Sequence, residues 1–171
     1  AVGTHAGAVE IYSGDLAGKG QTDLAVHETA TGRVALYQYD AAAKTYSAYA
    51  PAGLEAALQG AVAVALADLN HDGKLDLASF AADKVRCGLK DGDGFKIKEY
   101  AVASGIKTAA VADLTADSRP DLVVSAGQDF SVLVNALDDA TAPPVTTTPA
   151  TAPAAGTGTS GSATADGARS E

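Results

Sequence analysis

The densest group of chemistry-bearing side chains lies in residues 68–76, Asp-Leu-Asn-His-Asp-Gly-Lys-Leu-Asp. In a tightly turned loop alternate positions point inward. Asp68, Asn70, Asp72 and the main-chain carbonyl of Lys74 can therefore converge, and Asp76, at the start of the next apolar run, closes the set. Hard oxygen donors that include three carboxylates suit Ca²⁺, whereas Mg²⁺ keeps its waters and demands stricter octahedral geometry. Gly73 permits the sharp turn. Carboxylates this close repel one another without a cation. The competing reading is a polar Asx-rich turn that holds no metal. An EF-hand begins with the same spacing but requires an acidic residue at position twelve, where this chain has Ser79 in a strand-like run.

The pattern recurs twice. In residues 113–121 the equivalent positions are Asp113, Thr115, Asp117, the carbonyl of Arg119 and Asp121; Ser118 stands in place of the glycine and Pro120 stiffens the exit. A hydroxyl at Thr115 implies a weaker cation site than the amide at Asn70. In residues 15–23 the positions are Asp15, Ala17, Lys19, the carbonyl of Gln21 and Asp23, so two ligands are missing. The expectation there is no metal, with the Lys19 ammonium set between Asp15 and Asp23. The local string GDLAGKG resembles part of a phosphate-binding loop. Its glycines, however, enclose three residues rather than four, and Gly20 follows the lysine where Ser or Thr should hold magnesium. Each aspartate pair is eight apart, and successive copies start 53 and 45 residues on.

These loops need strands to hold them. Short apolar runs flank each copy, and LKDGDGFK carries the Asp-Gly signal of a tight hairpin turn. Residues 53–60, GLEAALQG, are expected to form one or two helical turns as an insertion. A period of about 45 residues with roughly four strands is the mark of propeller blades. VALADLNHDGKLDLASF and its two siblings resemble the FG-GAP/VCBS repeat family, the second copy most closely and the first least. That resemblance implies integrin-like β-propeller blades, one or two structural Ca²⁺ ions and no single activity. The expected fold is thus all-β: about three four-stranded antiparallel blades over residues 1–140 (about 1–50, 61–100 and 101–140, with 51–60 inserted). A Thr/Pro/Ala/Gly-rich tail of disordered type follows over residues 141–171. Three blades do not close a ring, so the propeller is expected to be partial or completed by protein subunits, copies of itself or others.

Bulk properties narrow the function. With 21 acidic and 12 basic residues the net charge is −9, against nucleic acid as a partner. Cys87 is the sole cysteine, so no intrachain disulfide or cysteine-based metal motif exists. The longest apolar run, residues 61–67, is seven residues, too short for a transmembrane segment. The tail holds four of the six prolines and eight threonines, the composition of a linker or an O-glycosylated stalk. Tail and resemblance together imply an exported protein. None of His5, His27 and His71 falls in a metal or nucleophile motif, and His71 should face solvent, so no enzyme is expected. A lectin-like propeller that binds glycans is the alternative, disfavoured by nine aromatic residues and no tryptophan. An accessory piece of a larger secreted enzyme is a third reading.

Overall fold

The computed structural model describes residues 5, 7–102, 104–126, 129–135 and 145–147, and it is all-β, without a helix among the described residues. Its strands form three antiparallel sheets, each a meander in chain order. The first contains β1 (Val9–Gly14), β2 (Asp23–Glu28), β3 (Arg33–Asp40) and β4 (Thr45–Tyr49). The second contains β5 (Ala63–Ala67), β6 (Asp76–Phe80), β7 (Lys84–Asp91) and β8 (Gly94–Ala101). The third contains β9 (Ile106–Ala112), β10 (Asp121–Ala126), β11 (Asp129–Val134) and the three-residue β12 (Val145–Thr147). No sheet closes on itself.

Each aspartate loop joins the first two strands of its sheet, so the eight-residue spacing places one aspartate after the first strand and the other on the first residue of the second. The sheets stack through the period-2 alternation of their strands. Leu16, Ala25, Val34 and Leu36 of the first pack against Val64, Leu77 and Phe95 of the second, with Leu54 and Ala57 between them. On the other side of the second sheet, Ala78, Phe80, Val85 and Cys87 meet Ile106, Leu122, Val124 and Leu133 of the third. β6 is consequently buried along its whole length. The first strands β1, β5 and β9 are neighbours in turn, which brings the three loops to one end of the stack.

Two expectations change. Residues 53–60 form turns rather than helix: Ala57 N–H donates to Leu54 O (2.9 Å) and Leu58 N–H to Glu55 O (3.4 Å), both three residues back. Gly53 and Gly60, at φ +82° and +66°, flank it, and Gly53 lies so close to the Phe95 carbonyl that a β-carbon there would collide. These turns are anchored by burial of Leu54 and Ala57. Second, the third sheet takes its outer strand from the low-complexity tail: β12 pairs Val145, Thr146 and Thr147 with Val134, Leu133 and Val132. Residues 148–171 and 136–144 lie outside the described residues. The hairpin at LKDGDGFK forms as expected: Asp91 pairs with Gly94 and Gly92 has φ +55°. Cys87 is a small buried strand residue, its thiol pushed up to about 12 by burial, which keeps it unreactive.

Candidate metal centre

The three loops share one backbone. Numbering each from its first aspartate, positions four and six have positive φ in every copy: Gly18 and Gly20 (both +71°), His71 (+58°) and Gly73 (+79°), Ala116 (+60°) and Ser118 (+68°). The first aspartate fixes this shape. Asp15 Oδ1 and Oδ2 accept the N–H groups of Lys19 (2.8 Å) and Gly20 (2.7 Å). Asp68 accepts those of Asp72 (3.0 Å) and Gly73 (2.7 Å), and Asp113 those of Asp117 (3.2 Å) and Ser118 (2.9 Å).

The closing aspartates are equally repetitive. Asp23, Asp76 and Asp121 are all at most 1% exposed. One oxygen of each takes an N–H from its own loop: Ala17 (2.8 Å), Leu69 (2.8 Å) or Leu114 (2.9 Å). The other takes an N–H at the end of the sheet's third strand: Tyr39 (3.0 Å), Lys90 (2.6 Å) or Asn135 (2.7 Å). The aspartate pair is therefore a main-chain bracket in all three copies, whatever the loop can ligate. Sequence reasoning assigned Asp76 and Asp121 to a cation alone and missed this role. The signal was present in part, since Lys90 and Asn135 each stand 14 residues beyond their aspartate.

The inner positions differ between copies. Asp72 Oδ1 accepts the Lys74 N–H (2.9 Å) and Asn70 Oδ1 the Asp72 N–H (3.2 Å). Lys74 Nζ lies 3.4 Å from Asp72 Oδ2. In the third loop Asp117 Oδ1 accepts the Arg119 N–H (2.9 Å), which, with Thr115, holds the Asp117 carboxyl below its ordinary range. Burial pushes the Asp76 carboxyl up to about 6; the N–H groups of Lys90 and Leu69 pull it down and the charges of Asp72 and Asp68 push it up.

Lys19 does not sit between Asp15 and Asp23. Its Nζ lies 3.4 Å from Gln38 Oε1. Lys90 of the second sheet, 4% exposed, packs beside the first loop, its Cε 3.8 Å from where a β-carbon on Gly18 would stand. Burial lowers its pKa, and Asp93, Asp15 and Asp23 act to raise it.

His71 is exposed, as its position in the loop requires. His27 lies inside β2, buried between Glu10 Oε2 (3.1 Å from Nδ1) and the Ala61 carbonyl (2.9 Å from Nε2). His5 Nδ1 is 2.8 Å from Glu28 Oε1. Both tie chain segments together.

Do the second and third loops fit a cation? Among the described residues no three His, Cys, Asp or Glu side chains already stand together as a metal cage. The donor chemistry nonetheless fits a hard cation. Each carboxylate oxygen keeps a second lone pair beyond the main-chain N–H it accepts, and Lys74, half-exposed, can withdraw from Asp72.

Residues 15–79 match the family model of the FG-GAP-like repeat. Over this segment the chain is similar to an FG-GAP-like repeat. The matched segment starts on Asp15 of the first loop, spans the second and ends on Ser79 in β6. The third loop lies beyond it and repeats its backbone and brackets. No curated protein and no solved structure matches the chain significantly.

Proposed function

We propose that the chain is a non-catalytic, calcium-stabilised, propeller-like module for protein–protein association in an exported or cell-surface assembly, its three sheets acting as blades. The observation that carries the calcium reading is the placing of backbone strain. Only the first loop, without ligands at positions three and five, has glycine at both positive-φ positions. The other two force His71, Ala116 and Ser118 into that region, where a side chain costs on the order of 1–2 kcal/mol. A bound ion offsets such strain and relieves the mutual repulsion of Asp68, Asp72 and Asp76.

In the second loop Asp68, Asn70, Asp72, the Lys74 carbonyl and Asp76 would hold Ca²⁺; in the third, Asp113, Thr115, Asp117, the Arg119 carbonyl and Asp121. The ion would neutralise carboxylates and lock the loop, with no part in catalysis. Association is supported by exposed apolar side chains on the first and third sheets, Ile11 (63% exposed) and Phe130 (43%). The same exposure disfavours a lectin: Phe130 is the one aromatic side chain among the exposed large hydrophobics of the described residues. The test pairs a thermal melt with sedimentation, each in chelator and in calcium. Calcium should raise Tm, and the protein should sediment above the monomer mass alone or with an added partner. An unchanged Tm removes the calcium reading, and a strict monomer with no partner removes association.

A further inference from the structure

In each copy the residue at the end of the third strand donates its main-chain N–H to the closing carboxylate, and in two copies its side chain reaches the preceding loop. Lys90 N–H binds Asp76 of the second loop at 2.6 Å. Its stem runs beside Gly18 of the first loop, and its Nζ lies 3.4 Å from Tyr49 Oη and 4.8 Å from the centre of the Phe95 ring. Asn135 N–H binds Asp121 of the third loop at 2.7 Å. Its Nδ2 donates to Leu69 O of the second loop at 2.6 Å and to Pro120 O at 3.0 Å. Asn135 is thus hydrogen-bonded to two loops at once, by main chain to its own and by side chain to the previous one. Lys90 is hydrogen-bonded to its own loop and packs its stem beside the previous one. Both side chains are buried, so neither contact is readily replaced by water.

We propose that Lys90 and Asn135 are latches that couple the loops in series: order in the third loop is passed to the second through Asn135, and order in the second to the first through Lys90. The first loop, which lacks a ligand set, thereby responds to a cation bound next door. The trigger rests on the calcium reading above, whereas the coupling belongs to the metal-free chain. Coupling of this kind requires a shared element that both sites bias, and the bracketed strand end at Lys90 or Asn135 is that element.

The test is residue-resolved amide hydrogen exchange on the full chain in chelator, with global stability measured alongside. Lys90→Met should speed exchange about tenfold at Ala17, Lys19 and Gly20 and leave Asp117 and Ser118 unchanged. Asn135→Ala, which keeps the main-chain N–H, should do the same at Leu69, Asp72 and Gly73. A uniform acceleration, or one confined to the latch's own loop, overturns the proposal. Should Lys90→Met fail to fold, Tyr49→Phe gives a milder version: a smaller acceleration confined to the first loop supports the latch, and no change there refutes it. Added calcium should slow the first-loop amides of the unaltered chain and not those of Lys90→Met. Calcium that slows no amide in any loop counts against the cation reading alone, and the comparison in chelator then decides the latches.

Discussion

Replacing Asp23 isolates the bracket from any metal, because its loop has Ala17 and Lys19 where ligands would be. Its carboxylate is 1% exposed and accepts two main-chain N–H groups, Ala17 at 2.8 Å and Tyr39 at 3.0 Å. A hydrogen bond to a charged group contributes about 1.5–3 kcal/mol. Asp23→Ala forfeits both, a gross loss of about 3–6 kcal/mol. Water reaching the half-buried Ala17 recovers part of this, which leaves about 3 kcal/mol. Asp23→Asn keeps one acceptor but turns an NH₂ toward the second N–H, and should cost about 2 kcal/mol. Urea unfolding measures both; the midpoint should fall with little change in slope. Both losses should be the same in chelator and in calcium. A loss below about 0.5 kcal/mol for Asp23→Ala, or one that calcium alters, would refute the reasoning.

Strain can be relieved one residue at a time: Ser118→Gly should stabilise the chelated protein by about 0.5–1 kcal/mol after the entropy of the added glycine, and the gain should shrink in calcium, read by the same urea unfolding. Gly53→Ala drives a methyl into the Phe95 carbonyl at positive φ and should lower Tm severely, whereas an alanine at Gly92, with open space around it, should cost only about 1 kcal/mol of backbone strain. The hydrogen bond from His27 holds the Glu10 carboxyl below its ordinary 4.5. The folded value is thus the lower one, so the stability it contributes is present above pH 4.5 and is lost as pH falls through the folded value. Because Glu10 is half-exposed, the contribution is under about 1 kcal/mol, and Glu10→Gln should remove that part of the acid dependence in pH-scanned melts.

The repeat was legible because its determinants are local. Asp-x₇-Asp, the Asp-Leu steps and the apolar runs fall within single loops and strands, and they foretold an all-β chain with loops at matching places. The helical expectation for residues 53–60 failed because GLEAALQG has helix-forming side chains but is pinned by tertiary contacts of Leu54, Ala57 and Gly53. β12 was hidden because the β-branched run at Val145–Thr147 is short and flanked by prolines, and its place as a strand depends on pairing with another segment, β11. Lys90 escaped notice for the same reason. Adjacency in sequence favoured Lys19 as the cation of the first loop, while the packing of the first two sheets sets a lysine 71 residues further on beside that loop.

One bracketed backbone serves three loops, and under the proposed function only the second and third take a cation. The direct measurement is the number of Ca²⁺ ions bound per chain by equilibrium dialysis, repeated for Asp72→Ala, Asp117→Ala and Lys19→Ala. At most two ions should bind, with Asp72→Ala removing the tighter one, Asp117→Ala affecting only the weaker, and Lys19→Ala changing nothing. No bound calcium, three ions per chain, or a count that Asp72→Ala leaves intact would contradict it.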